Sequence, residues 1–396
     1  MEYRAESKML GVRTELDASR PRSTSLAQAF DPRHNSLNFL RLVFALGVIF
    51  GHAQILGGYG GFGLIGNRTA VGTLAVYGFF AISGFLIAAS ASQNRLGRYL
   101  WQRSLRIFPA FWVCLIVTVV LFGWIGWVAE NHLCGLSCYV GASDGPLPYL
   151  LHNGLLRITQ NQVSGTPTHI PSPFHVWHGS LWTLFYEFVC YLVLGALAAV
   201  GLLRRRRVVL ALTIAAWLLE IIVVASPDLN NAVSLNHLDL QRFLTLVPIF
   251  LAGSLLYLYR EELPDSGLLA SMFLGAFVVS FWLPIGSSEP VFHMTSAGML
   301  APLLAYPALW LGIHLPFQRI GARNDYSYGT YIYAYPVQQT LSLWGVYRLG
   351  YLPYLLLGVA GTVPFAVASW WLVEKRALAL KKIELRQLKV LRSRRA

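Results

Sequence analysis

The sequence predicts an all-α membrane protein, a bundle of about ten transmembrane helices with both termini in the cytoplasm. Only 12% of the 396 residues are charged, about half the share that is typical of soluble domains. Hydrophobic residues make up 55%, and the mean hydropathy is +0.52. Because so few charges cannot cover the surface of a soluble fold, these observations exclude a soluble enzyme, a disordered chain and a nucleic-acid binder with a basic face.

Ten windows of the chain are apolar enough to cross a hydrocarbon core of about 30 Å, which takes about 20 helical residues. They cover residues 37–56, 72–92, 105–128, 177–200, 208–225, 243–259, 267–285, 293–315, 327–347 and 352–373. We therefore expect one transmembrane domain over residues 37–374, between an N-terminal tail of residues 1–36 and a basic tail of residues 375–396. The N-terminal tail lacks the apolar core of a signal peptide, so we expect the first span to direct insertion.

Lysine and arginine concentrate on one side of the predicted membrane. With the N-terminus placed in the cytoplasm, 27 of the 31 basic residues fall on the cytoplasmic side and 4 on the opposite side. This asymmetry follows the positive-inside rule and favours an even number of spans. The formal net charge of +13 is therefore interpreted as a signal of orientation and anchoring.

The segments outside the spans suggest accessory roles. The C-terminal tail interleaves basic residues with leucine and isoleucine, which favours an amphipathic helix on the anionic inner leaflet. The outer segment 129–176 is either a cap that meets an acceptor or a plain surface loop. Within it, Cys134 and Cys138 can form a disulfide in an oxidising compartment, but they lack the second ligand pair of a metal site. Cys114 and Cys190 lie in apolar helices, where we expect inert core residues.

Ionisable side chains within a span are costly, so each is a functional hypothesis. In the first span, Arg41 and His52 are 11 residues apart, which places them on one helix face but separates them along the axis by about 16 Å. Arg41 falls at the cytoplasmic end and His52 beyond the midplane. Histidine can accept or release a proton near neutral pH. The alternative for His52 is a hydrogen-bonded interfacial histidine without a catalytic role.

Two arginines mark the start of the third predicted span. Arg103 and Arg106 are one helical turn apart, so they present two guanidinium groups on one face at the cytoplasmic side. This geometry suits phosphate groups, which arginine binds with two parallel hydrogen bonds. The alternative is ordinary positive-inside anchoring.

Glu187 lies near the midplane of the fourth predicted span, at a depth comparable with that of His52. A buried carboxyl group there is either protonated or paired with a cation. We expect His52 to be the partner, with His178 and Arg157 as alternatives. The non-catalytic interpretation is a structural hydrogen bond between helices. Glu220 in the fifth span is a weaker candidate.

These residues fall in ordered motifs through which the chain resembles the acyltransferase 3 family of integral membrane acyltransferases. That family includes O-acetylases of surface polysaccharides, Nod-factor acetylases and macrolide acylases. The resemblance covers residues 34–378. The matching motifs in chain order are Asn38 with Arg41 and His52, GFFAISGFLI from Gly78 to Ile87 with Ser83 inside it, Arg103 with Arg106 and Pro109, Trp182 with Glu187, SYGTYIYAYPVQQ from Ser327 to Gln339, and SWWLVEKRAL from Ser369 to Leu378.

The resemblance implies transfer of an acyl group, usually acetyl, from acyl-coenzyme A to a hydroxyl group of an envelope glycan or glycolipid in the bacterial cytoplasmic membrane. It implies that His52 is the catalytic histidine and Glu187 a functional core residue; we expect Glu187 to belong to the catalytic site and to tune His52. It further implies that Arg103 and Arg106 bind the donor. Many members carry a histidine where this chain has Ala334, so we assign no functional histidine to the ninth span.

The roles of the remaining candidates follow from the same comparison. Arg41 is expected to join the donor site, and Asn38, Ser83 and Trp182 to support it. We expect no permanently bound cofactor and no metal; the partners are acyl-coenzyme A, the glycan acceptor and the lipid bilayer, without nucleic acid.

Two other function classes remain open at the level of the sequence. The first is a proton-coupled transporter or flippase of a glycolipid or solute, with His52 and Glu187 as a proton relay. The second is an acyl exporter that serves a separate transferase. Within the enzyme hypothesis, His52 either takes a proton from the acceptor or carries the acyl group covalently. The acceptor and the length of the acyl chain are not predicted.

Overall fold

The computed structural model describes residues 24–60, 70–130, 134–236, 238–282 and 296–382. Within these ranges the regular structure is helical and contains no strand. The helices are α1 (Leu26–Ala29), α2 (Leu37–Leu56), α3 (Val71–Gln93), α4 (Leu96–Val117), α5 (Gly123–Ala129), α6 (Leu136–Gly141), α7 (Pro146–Asn153), α8 (Trp182–Ala199), α9 (Arg206–Ala225), α10 (Pro227–Asn236), α11 (Leu238–Leu258), α12 (Gly267–Val279), α13 (Ser296–Met299), α14 (Ala305–His314), α15 (Ser327–Leu343), α16 (Tyr351–Ala368) and α17 (Lys375–Ala379).

Seven helices in the described ranges are long and apolar enough to cross a membrane. They are Leu37–Leu56, Val71–Gln93, Leu96–Ala129, Trp182–Ala199, Arg206–Ala225, Asp239–Leu258 and Tyr351–Ala379. The all-helical, multi-pass architecture is therefore confirmed. The count of ten spans and the cytoplasmic position of both termini stay predictions. Arg68, residues 1–23 of the N-terminal tail and residues 383–396 of the basic tail lie outside the described residues.

The largest differences from the observed helices occur in two predicted spans. The third was expected over 105–128, but α4 begins at Leu96 and continues through a π-helical turn, Thr118–Phe122, into α5. Arginine is a good helix former, so the helix extends through the basic residues that a hydropathy window excludes. The predicted span 293–315 is broken into α13, a 3-10 turn at Ala301–Leu304 and α14.

Helix α3 occupies the centre of the bundle, where it packs against α2, α8, α11 and α14. Helices α3 and α11 approach each other closely because a glycine of each helix faces the backbone of the other. A Cβ atom added to Gly84 would overlap the carbonyl oxygen of Phe250, and one added to Gly253 would overlap that of Ala81. Small residues at such crossings let two helices approach within a membrane. The crossing fixes the position of Ser83, the neighbour of Gly84.

The crossing predicts a strong effect of a single added methyl group. We expect Gly84→Ala to cost about 1–3 kcal/mol, the usual penalty for overpacking a filled interface, because the methyl group meets backbone that cannot rotate away. The measurement is the apparent melting temperature of the purified protein in detergent. Gly275→Ala on α12 is the control, since a Cβ there meets nothing within 4 Å. Equal melting temperatures for the two variants would contradict this account.

Candidate functional site

A buried carboxylate, Asp325, joins helices at the end of the bundle where Arg41, Arg103 and Arg106 lie, here called the basic end. Its Oδ2 accepts hydrogen bonds from Arg41 Nη1 at 3.0 Å and from Arg106 Nη2 at 2.5 Å. Its Oδ1 accepts from the backbone amide of Ser327 at 3.1 Å and from the Ser327 hydroxyl at 2.5 Å. One side chain thus ties α2 and α4 to the start of α15.

The negative charge of Asp325 is secured by its surroundings. Burial alone would raise the pKa of this carboxyl group, but the guanidinium groups of Arg106 and Arg41 and two hydrogen bonds from Ser327 hold the pKa well below its usual range. Glu374 contributes a second carboxylate, whose Oε2 lies 3.7 Å from Arg106 Nη1. Arg41 and Arg106 are therefore neutralised by acids of the chain itself.

Sequence reasoning selected the arginines and missed both acids. Asp325 is separated from Arg41 by 284 positions, so no local spacing links them. The signal that could have found it is the Asp-x-Ser pattern directly before α15, in which an aspartate accepts from the amide two residues on. Glu374 lies in the closing motif, where no local pattern separates it from the basic tail.

Arg103 differs from Arg106 although the two belong to one motif. The described residues contain no acidic partner within ion-pair distance of Arg103, and its Nε is buried without a hydrogen bond. Both lie on α4, one turn apart, as predicted. Arg106 is therefore paired with carboxylates of the chain. Arg103, in contrast, has an Nε–H group without an acceptor and a charge without an acidic partner among the described residues.

A cavity of about 40 Å³ opens between the basic end and the interior. Arg41 and Ser327 line it together with Glu187, Thr183 and Tyr331. Its volume suits a few water molecules. The polar lining in an otherwise aromatic surround makes it a candidate binding channel.

Glu187 is held at this cavity by two hydroxyl groups. Its Oε1 accepts hydrogen bonds from Ser83 at 2.7 Å and from Tyr191 at 2.5 Å. Ser83 comes from α3 and Tyr191 from the next turn of α8, so the carboxyl group is oriented from two helices. The predicted supporting role of Ser83 therefore has a concrete geometry, the positioning of Glu187.

The predicted pairing of Glu187 with His52 is wrong, and so are its two alternatives. Glu187 is bonded to hydroxyl groups, while His178 Nε2 lies 2.7 Å from Thr118 Oγ1 and Arg157 donates to Asp239 at 2.7 Å. Helical depth alone does not define which face of a neighbouring helix a side chain meets. The carboxyl group faces the cavity that Arg41 lines.

His52 lies in the last turns of α2, at the end opposite Arg41. Its ring packs edge-on against Tyr335 with ring centroids 4.9 Å apart. The Nδ1 atom is buried and has no hydrogen-bond partner in the described part of the chain. An imidazole nitrogen without a partner is free to take or give a proton.

One face of α15 connects the cavity to His52. Ser327, Tyr331 and Tyr335 follow each other at four-residue intervals, which places them on one side of a helix. The first two line the cavity, and the third contacts the His52 ring. One face of α15 therefore extends from the cavity that Arg41 lines to His52, although about 16 Å of helix separates Arg41 from His52.

The other predicted residues have structural contacts. Asn38 donates to the carbonyl oxygen of Gly321 at 3.0 Å, and Gly321 has a φ of +76° that favours glycine. Trp182 faces Arg242, whose guanidinium carbon is 4.3 Å from the centroid of the indole. Asn38 therefore supports the loop before Asp325.

Glu220 is fully buried, and both of its carboxyl oxygens lack a hydrogen-bond partner in the described residues.

The cysteines follow the sequence analysis. Cys134 and Cys138 form a disulfide, and Cys114 and Cys190 are buried free thiols. No group of three or more histidine, cysteine, aspartate or glutamate side chains with the spacing of a metal site occurs among the described residues.

Comparison with known proteins gives consistent relatives. Residues 34–371 match a family described as an acyltransferase domain. An "O-acetyl transferase" of Shigella phage Sf6 is 29% identical over 359 residues, which cover 87% of this chain and 96% of the relative. "Nodulation protein 10" of Rhizobium leguminosarum bv. viciae is 27% identical over 377 residues, or 88% of this chain and 94% of the relative. No solved structure matches the chain significantly.

The contacts of Asp325 predict that the stability of the folded state depends on this acid. We expect Asp325→Asn to lower the free energy of unfolding by about 3–5 kcal/mol, because two buried guanidinium groups lose their counter-ion. Since the pKa of Asp325 is depressed, its contribution is present at neutral pH and is lost only as the pH falls below 3.8, through the folded-state pKa. Unfolding in detergent, followed at several pH values, measures both effects.

The matched control for this substitution is Glu262→Gln, which removes an exposed ion pair with Arg206. Exposed pairs contribute little to stability, so this variant should melt as the parent protein does. A loss of similar size in both variants would show that burial of the Asp325 network is not what stabilises the bundle.

Proposed function

The chain belongs to the acyltransferase 3 family, and from this premise we propose a specific reaction for it. It transfers an acyl group, acetyl in the first instance, from acyl-coenzyme A to a hydroxyl group of a cell-envelope carbohydrate or glycolipid. The protein acts as a multi-pass enzyme of the bacterial inner membrane. The name of the phage relative, "O-acetyl transferase", supports acetyl as the group and oxygen as its destination.

The observation that carries this proposal is the arrangement along α2. Arg41, paired with Asp325, marks the basic end of α2, where Arg103 supplies a charge that no acid of the described residues neutralises. His52 supplies, at the other end, an imidazole Nδ1 that has no hydrogen-bond partner among the same residues. The cavity and the tyrosines of α15 lie between them. Acyl-coenzyme A has the same layout, with phosphates at one end, an extended arm, and the reactive thioester at the other end.

The donor would bind with its phosphates at the basic end. Arg103 is the best placed ligand, because its guanidinium group is not occupied by a carboxylate, and arginine binds phosphate through paired hydrogen bonds. Arg41 and Arg106, fixed by Asp325, would define the direction of approach. The arm would then enter the cavity, which is too small at about 40 Å³ unless its aromatic lining moves aside.

The reaction requires a base beside the thioester. In direct transfer, the acceptor oxygen attacks the thioester carbonyl carbon while His52 takes the hydroxyl proton. The carbon–sulfur bond breaks, and the proton passes to the thiolate of coenzyme A that leaves. In the covalent route, the imidazole nitrogen attacks the thioester carbonyl carbon, and the carbon–sulfur bond breaks to release the thiolate of coenzyme A. The acceptor hydroxyl group then attacks the acyl-imidazole, the carbon–nitrogen bond breaks, and the hydroxyl proton passes to the thiolate. Glu187, which Ser83 and Tyr191 orient at the cavity, would act on the arm of the donor rather than on His52.

A first experiment tests the base. We expect His52→Ala to lower kcat by about 10²–10⁴, the usual contribution of a positioned general base, with normal yield in the membrane and normal donor binding. The assay follows acceptor-dependent release of thiol from acetyl-coenzyme A by purified protein. His34→Ala, which alters an exposed histidine at the basic end, is the control. Full activity of the His52 variant would remove it from the reaction.

A second experiment separates the two arginines of the motif. We expect Arg103→Ala to raise KM for acetyl-coenzyme A at least tenfold with little change in melting temperature, since a charge-assisted hydrogen bond of about 1.5–3 kcal/mol is lost. Arg98→Ala removes an exposed arginine from the same helix and should leave KM unchanged. An unchanged KM for the Arg103 variant would return this residue to membrane anchoring.

A further inference from the structure

A lysine of the C-terminal segment reaches the basic end. Lys381 lies in a 3-10 turn, Leu380–Lys382, directly after α17, and α17 packs against α4. The indole nitrogen of Trp101 on α4 donates to the carbonyl oxygen of Leu380 at 3.3 Å. This bond fixes the turn beside the arginines of α4, so the segment is part of the folded core up to this point.

The charges that act on Lys381 are the three arginines of the basic end. Burial lowers the pKa of its amino group to about 8, and the positive charges of Arg103, Arg106 and Arg41 act in the same direction. Arg103 and Arg106 lie on α4, which packs against the turn, and Arg41 lies on α2. No ion pair joins Lys381 to a carboxylate of the described residues. Its half-buried position therefore costs free energy that the folded chain does not offset locally.

The balance of charge at the basic end is positive. Four cations, Arg41, Arg103, Arg106 and Lys381, are gathered around two carboxylates, Asp325 and Glu374. The carboxylates contact Arg41 and Arg106, and no acid of the described residues lies within ion-pair distance of Arg103 or Lys381. Gathering like charges is unfavourable unless an anion joins them. Arg103 and Lys381 therefore present two positive charges from different segments. Such a pair suits a ligand that carries two or more negative charges.

We infer that Lys381 is a binding residue for a phosphate group of the donor and completes, with Arg103, a site that α4 alone does not form. This inference rests on the proposed function, because it takes the donor to be acyl-coenzyme A. It assigns a specific task to a residue of the tail that the sequence analysis treated as a membrane anchor. The site therefore spans both ends of the chain, from α2 to the segment after α17.

Phosphate is also the chemistry of anionic lipid headgroups, so the experiment must separate the two sources. Binding of acetyl-coenzyme A is measured by calorimetry on the full-length protein in nanodiscs made only of phosphatidylcholine. We expect Lys381→Ala to weaken binding about tenfold. Arg376→Ala is the matched control, since it removes an exposed basic residue from the same segment and should bind as the parent does. The melting temperature of each variant verifies folding.

The pH dependence adds a readout that a purely structural lysine would not change. Because the pKa of Lys381 lies near 8, affinity for acetyl-coenzyme A should fall between pH 7 and about pH 9.5 as the amino group loses its proton. Arginine side chains in general stay charged over this range. In Lys381→Arg the guanidinium group also stays charged, so this variant should bind at pH 7 and lose the decline above pH 8.

Each outcome decides the inference. It is overturned if Lys381→Ala binds acetyl-coenzyme A as tightly as Arg376→Ala does, or if the arginine variant keeps the parental pH profile. Weakening that appears only when phosphatidylglycerol is added would assign Lys381 to a lipid headgroup instead. If Arg103→Ala loses affinity while Lys381→Ala does not, this inference fails and the proposed function stands. If the parent protein itself does not bind acetyl-coenzyme A, both fail together.

Discussion

The buried carboxylate of Asp325 is the interaction on which the rest of this structure depends. It binds Arg41 of α2 and Arg106 of α4 through one oxygen and the start of α15 through the other. These helices carry both ends of the proposed reaction path, Arg41 and Arg103 at the basic end and His52 at the other, while Glu187 comes from α8. Because a buried ion pair is costly unless its geometry is complete, the network tolerates few alternative arrangements of the helices. The path from the basic end to His52 therefore has a defined geometry before any substrate binds.

The sequence predicted the parts of the fold that local patterns determine. Apolar windows identified the first two spans to within a residue, and the one-turn spacing of Arg103 and Arg106 is as expected. It could not predict Asp325, because the ion pair depends on where chain segments 284 residues apart meet. The pairing of Glu187 with His52 failed for a related reason. Counting residues gives depth in the membrane, whereas the partner depends on rotation about the helix axis and on which helices are neighbours.

Two arginines of one motif have acquired different tasks through their neighbours. Arg106 has Asp325 and Glu374 as partners, and Arg103 has a buried Nε without one. The sequence motif alone does not distinguish the two arginines, since both belong to one pattern on the same helix. The distinction lies in the acids that other helices bring to them. It explains how a single short pattern can serve both the stability of the bundle and the binding of an anion.

The adjacency of Ser83 and Gly84 has a consequence for how such a protein can change over evolution. Gly84 sets the distance between α3 and α11, while Ser83 orients Glu187 at the cavity. Since the two residues are consecutive in a rigid helix, a shift of the interhelical crossing displaces the hydroxyl group as well. Substitutions at this interface therefore affect activity as well as stability, and both are subject to selection. Homologues with a different crossing should carry a compensating change on the helix that holds the carboxylate.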